Sequence, residues 1–146
     1  MAARPKSIVY FECAYFLAIA VNLLSVYLTW DRTIAEIEAT PGYAGRGALY
    51  LIWTLLFWMP INLSLWYFAA LRHSAAARWM IVALAVVNLF DLGTLALFGG
   101  LTQDLFGLLN LAFYISSFVA AWFLFQPDAK LWFEGRSGEG YPDIFS

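Results

Sequence analysis

Residues 78–98 read RWMIVALAVVNLFDLGTLALF. This run decides the fold. It is apolar over a length that crosses a bilayer as a helix, for which about 20 residues are needed. Near its middle stands Asp91, with Asn88 one turn before it. A carboxylate in hydrocarbon is costly and marks a functional position by default. No Lys or Arg lies inside an apolar run to pair with it.

Three more apolar runs flank this one, at 8–30, 47–71 and 105–125, and each carries an Asn: Asn22, Asn62 and Asn110. The pattern predicts an all-α fold, a transmembrane four-helix bundle with a polar interior around Asp91. Short polar turns at 72–77 and 99–104 make the second, third and fourth spans antiparallel neighbours. Composition agrees. The chain has 146 residues, 63% hydrophobic and 12% charged, against about 25% charged in a soluble domain. So little charge cannot cover a water-facing surface. Aromatics make up 19%, including seven Trp, as suits rings anchored at membrane interfaces. The net charge of −2 gives no basic surface for nucleic acid. Cys13 is the sole cysteine, so neither an intramolecular disulfide nor a thiolate zinc site is available. His73 is the sole histidine, which excludes a bis-histidine haem site within the chain. No cofactor is expected.

The first run is too long and too aromatic for a signal peptide and is expected to be retained. Its start carries Glu12. The connection 31–46 opens with DRTIAEIEA, in which Ile34 and Ile37 are three apart. That spacing predicts a turn or two of helix on the membrane surface, ended by Thr40, Pro41 and Gly42. Pro60, inside the second span, removes a backbone donor and predicts a kink. After the fourth span, Pro127 suits the first position of a short interfacial helix at 127–134, with Asp128 favouring that same N-terminus. Leu131, Trp132 and Phe133 are expected in the headgroup layer. Residues 1–134 form the membrane domain and 135–146 a flexible tail.

Basic residues set the orientation. With both termini cytoplasmic, Arg4, Lys6, Arg72, Arg78, Lys130 and Arg136 lie inside, and Arg32 and Arg46 outside. Six against two is a positive-inside bias. Depth follows from the helical rise. Asp91 lies thirteen residues past Arg78, ~20 Å at about 1.5 Å per residue. Asn22 and Asn110 fall at similar depth, and Asn62 and Asn88 form an adjacent layer nearer the cytoplasm. Every intramembrane Asn precedes a Leu, which fits either a duplicated hairpin or chance in Leu-rich sequence.

Asp91 has two readings. It is a proton, cation or headgroup site, or it is a neutral acid bonded to an Asn or to Tyr114 that fixes helix register. The Asn set, at 22, 62, 88 and 110, lines a polar cavity or makes interhelical hydrogen bonds of about 0.6 kcal/mol each. Glu12 lies close enough to the interface to pair with Arg4, Lys6 or Arg78. Ala83 and Gly93 in the third span, and Ser116 and Ala120 in the fourth, are small enough for close helix packing. His73 is expected in solvent. Trp58 lies deep, against a neighbour or a ligand.

Two stretches, YFECAYFLAIAVNLLSVYLTWD at the start and FLFQPDAKLWF after the fourth span, together resemble a loose group of small bacterial four-helix integral membrane proteins of unknown function. The shared features are the early acidic residue and a Pro-Asp-Ala segment followed by Trp-Phe. The resemblance implies four spans in a bacterial cytoplasmic (inner) membrane. It implies no activity and transfers no catalytic residue.

The leading expectation is a non-enzymatic accessory or assembly protein, held in the lipid bilayer and acting through helix–helix association with a membrane-protein partner or a second copy. The alternative is binding or transport of a lipid-like or cationic ligand, or of protons, in a cavity lined by Asn22, Asn62, Asn88, Asp91, Asn110 and Tyr114. Third comes a membrane enzyme using Asp91 or Glu12 as general acid or base, for which no second group is positioned.

Overall fold

The computed structural model describes residues 4–97 and 105–134. The turn expected at 99–104 and the tail expected at 135–146 lie outside the described residues. Within them the chain forms six helices: α1 (Lys6–Leu28), α2 (Trp30–Glu38), α3 (Gly47–Ala70), α4 (Ala75–Leu97), α5 (Leu105–Phe123) and α6 (Pro127–Phe133). α1, α3, α4 and α5 are long and apolar enough to cross a membrane. The shortest of them has 19 residues, or ~28 Å of helix, close to the thickness of a hydrocarbon core. The protein is an all-α polytopic membrane protein with four spans.

The ends of the helices follow local chemistry. α1 stops at Thr29, whose hydroxyl donates back to the Ser25 carbonyl at 2.8 Å. α4 starts at Ala75, three residues ahead of the apolar run, because the Ser74 hydroxyl accepts the Ala77 N–H at 3.3 Å. A serine at that position satisfies one of the donors that every helix start leaves open. Two other starts borrow their caps from distant residues. Pro5 offers α1 no side-chain cap, and the Ser7 N–H instead donates to the Asp128 carboxylate of α6 at 3.1 Å. The Gly47 N–H of α3 donates to the Glu38 carboxylate of α2 at 3.1 Å. α2 is thus the short helix expected in DRTIAEIEA, folded back on the start of α3. Gly42 and Gly45 turn the chain between them with positive φ, a conformation that costs glycine little. α3 runs through Pro60 as one helix.

α1 and α5 form the principal pair. Their buried faces are rich in small residues: Ala14, Ala18 and Ser25 on α1, and Gly107, Ser116, Ala120 and Ala121 on α5. Small side chains let backbones approach, and the gain is van der Waals contact rather than water exclusion. α4 packs on α5 and α3, and α6 lies under α1. Ser116 and Ala120 therefore take the packing role that their size suggests. Ala83 and Gly93 do not. Ala83 is exposed, and a Cβ on Gly93 would meet nothing within 4 Å.

The packed core occupies one half of the bundle. It gathers Ile8, Phe11, Ala14 and Tyr15 of α1, Leu65, Ala69 and Ala70 of α3, Ala77 and Ile81 of α4, and Ala120 of α5. Leu124, Ala129 and Trp132 close it from below. We call this half basal. It holds the start of α1 and α4, the end of α3 and α5, and all of α6.

Two side chains pack against each other here. Trp132 is buried against protein, and His73, expected in solvent, lies against it with ring centroids 3.9 Å apart. His73 adopts φ 55° to reach that position, in the left-handed region that histidine enters more readily than most residues. The turn between α3 and α4 is thereby fastened to α6.

Candidate functional site

Beyond the basal core the bundle opens into a cavity of about 410 Å³. Each of the four spans lines it with one face. α1 contributes Tyr15, Ala18, Asn22 and Val26, and α3 contributes Thr54, Trp58 and Asn62 at successive four-residue steps. α4 contributes Ile81, Ala85, Asn88 and Asp91, and α5 adds Phe113 and Ser117. Spacings of three and four place these residues along single helical stripes. Four of the six candidate residues, Asn22, Asn62, Asn88 and Asp91, thus meet around one space. Asn110 and Tyr114 do not line it. Tyr114 is buried beside Phe113, with ring centroids 5.3 Å apart, and Asn110 sits a turn further along α5, half-buried.

The polar groups of the cavity differ in how far they are committed. Asn62 is fully engaged. Its Oδ1 accepts the Tyr15 hydroxyl at 3.0 Å, its backbone carbonyl lies 3.1 Å from the same hydroxyl, and its Nδ2 donates to the Trp58 carbonyl at 2.9 Å. It ties α3 to α1 at the floor of the cavity, where the basal core ends. Asp91 is open. Its backbone carbonyl accepts the Thr94 hydroxyl at 2.8 Å, but among the described residues no side chain bonds its carboxylate, which is exposed to the cavity mouth. The amides of Asn22 and Asn88 are likewise without a hydrogen-bond partner among the described residues. A carboxylate and two amides with unused capacity line a space whose remaining walls are mostly aliphatic and aromatic. Within the described residues no three His, Cys, Asp or Glu side chains converge as a metal site would require.

Glu12 belongs to a separate, basal site. Arg4 Nη1 lies 3.3 and 3.2 Å from its two carboxylate oxygens, and Trp66 Nε1 donates to Oε1 at 3.2 Å. The expected ion pair is present, with Arg4 as the cation, and the carboxylate is mostly covered at 16% exposure. The sequence did not single out Trp66 as its partner. Nor did it single out Thr54, which with Trp58 lines the cavity, although both precede Asn62 by multiples of four residues on one helical face.

The fold and the cavity together define a small polytopic membrane protein with an open, mostly apolar space between its helices that carries a few polar groups. Comparison with protein-family models, with curated proteins and with solved structures gave no match.

Proposed function

We propose that this protein binds, and in the simplest case carries, a small ligand with an apolar body and one cationic or hydrogen-bonding group. The observation that carries this reading is the uncommitted Asp91 carboxylate at an open cavity, with the free amides of Asn22 and Asn88 on the same walls. An acid whose purpose is helix register is spent on a neighbouring donor, as Asn62 is here. Asp91 is not spent. A cation would meet the carboxylate, the amides would orient it, and Trp58 and the aliphatic wall would hold its apolar part.

The test is native mass spectrometry of the protein released gently from its own membrane. Wild type carries a reproducible small added mass, and Asp91→Asn folds and assembles as wild type but loses that mass. A wild-type protein without any adduct, found as a defined homo-oligomer or with a protein partner, overturns the ligand reading.

That outcome would favour the second reading, an accessory or assembly protein. Its support is the unequal cover of the helices. The apolar windows of α1 and α5 are 28% buried, those of α3 and α4 only 11%. The outer faces of α3 and α4 are then where a partner or a second copy would lie.

For location, the resemblance supports a bacterial inner membrane. The basic residues support cytoplasmic termini, since Arg4, Lys6, Arg72, Arg78 and Lys130 all belong to the basal half.

A further inference from the structure

Arg78 stands near the start of α4, in the basal half and away from the cavity. Its guanidinium carbon lies 5.0 Å from the ring centroid of Phe125, 5.1 Å from that of Phe133 and 5.6 Å from that of Trp79. Three aromatic rings from α4, the end of α5 and α6 thus surround one cation. Three other basal cations have an oxygen partner: Arg4 has Glu12, Arg72 has the Tyr67 hydroxyl, and Lys130 has Glu134. Arg78 has none among the described residues, and its Nε is buried without an acceptor.

Ring faces attract the charge but offer no lone pair in the plane of the N–H groups. A guanidinium in such a setting still lacks hydrogen-bond acceptors. Two of the rings indicate where the acceptor comes from. Trp79 is 57% and Phe125 45% exposed on the outside of the bundle, where a membrane protein meets lipid. They pack edge to face, with centroids 5.5 Å apart, as interfacial aromatics do at headgroup depth. The acceptor found at that depth is the lipid phosphate, which the two Nη groups of Arg78 would meet while its buried Nε stays among the rings.

We propose that Arg78, with Trp79, Phe125 and Phe133, forms a binding site for the headgroup phosphate of an anionic phospholipid. The site selects net charge because Arg78 has no carboxylate beside it, and Lys6 and Arg72 belong to the same end. A choline headgroup would bring a further cation into that field, whereas a glycerol headgroup brings none. The apolar surround selects a lipid over free phosphate, because the rings continue onto the acyl-chain surface.

The experiment uses the full chain, delipidated in a neutral detergent. It is titrated by native mass spectrometry with phosphatidylglycerol, with phosphatidylcholine of the same acyl chains, and with inorganic phosphate. Wild type binds phosphatidylglycerol about fivefold more tightly than phosphatidylcholine, a ratio matching roughly 1 kcal/mol for one basic residue. Arg78→Gln abolishes the preference. Arg78→Lys, which keeps the charge without the fork, and Phe133→Leu, which removes one ring, each reduce it and serve should Arg78→Gln fail to fold. Equal binding of the two lipids by wild type overturns the proposal, as does an undiminished preference in all the folded variants. Displacement of the lipid by millimolar inorganic phosphate overturns the choice of lipid as the source.

Discussion

The Asp128 carboxylate accepts the backbone N–H of Ser7 at 3.1 Å, across 121 residues of sequence. A residue placed by its sequence context in the first turn of α6, where it stands, also serves the start of α1. Its charge faces the positive end of the α1 dipole, and its oxygen replaces the cap that Pro5 cannot supply.

Asp128→Ala therefore destabilises the bundle by about 1 kcal/mol, the usual cost of losing a helix cap. Asp128→Asn, which keeps an acceptor oxygen, costs less than half as much. Thermal unfolding in detergent, compared across the two variants, measures this. Equal losses would show that the charge, not the hydrogen bond, carries the effect.

Two glycines respond in opposite ways to the same substitution. A Cβ on Gly47 would lie 2.8 Å from Glu38 Cγ, 2.8 Å from the Ile34 carbonyl oxygen and 2.9 Å from Ile34 Cγ2. Gly47→Ala pushes α2 off α3 and costs about 1–3 kcal/mol, in the range of overpacked sites. Gly93→Ala meets nothing within 4 Å and gains roughly 0.5–1 kcal/mol from helix propensity. The same unfolding assay separates them by sign.

The Tyr15–Asn62 bond is the polar link between α1 and α3 at the cavity floor. A double-mutant cycle of Tyr15→Phe and Asn62→Leu yields a coupling of about 0.6 kcal/mol, the average for such bonds in a membrane. A coupling near zero would mean that water or another residue takes over the hydroxyl.

Orientation is open to chemical labelling. With Cys13→Ala as background, a cysteine at Tyr43 reacts with a membrane-impermeant maleimide added to intact cells. One at Ala76, in the basal half, reacts only after lysis. The reverse pattern would invert the topology drawn from the basic residues.

The four spans were legible because length and apolarity alone define them in a bilayer. The convergence of Asn22, Asn62, Asn88 and Asp91 was legible from depth. Depth carried less far with Asn110 and Tyr114, because the rotation of α5 about its axis decides which of its residues face the cavity. That rotation follows from its fit against the small residues of α1, which no count along the sequence gives. The Asp128–Ser7 and His73–Trp132 contacts were hidden for a related reason. A short amphipathic segment looks like a membrane-surface helix until a protein surface is there to receive it. Trp132 found one and is buried against it.

The division of the bundle into a packed basal half and an open half has a mechanical consequence. The apolar cluster that joins all four spans lies in the basal half, whereas the cavity occupies the space between them beyond it. In that arrangement the basal half stands as the joint of a pair of tongs, with α3 as one arm, the α1–α5 pair as the other and α4 packed on both. The crossbar between the arms' far ends is α2, tied to α3 through Glu38 and laid against α5 where the Arg32 guanidinium sits 4.8 Å from the Phe106 ring. On this geometry a change in bilayer thickness is expected to alter the width of the Asp91 cavity before it disturbs the basal core.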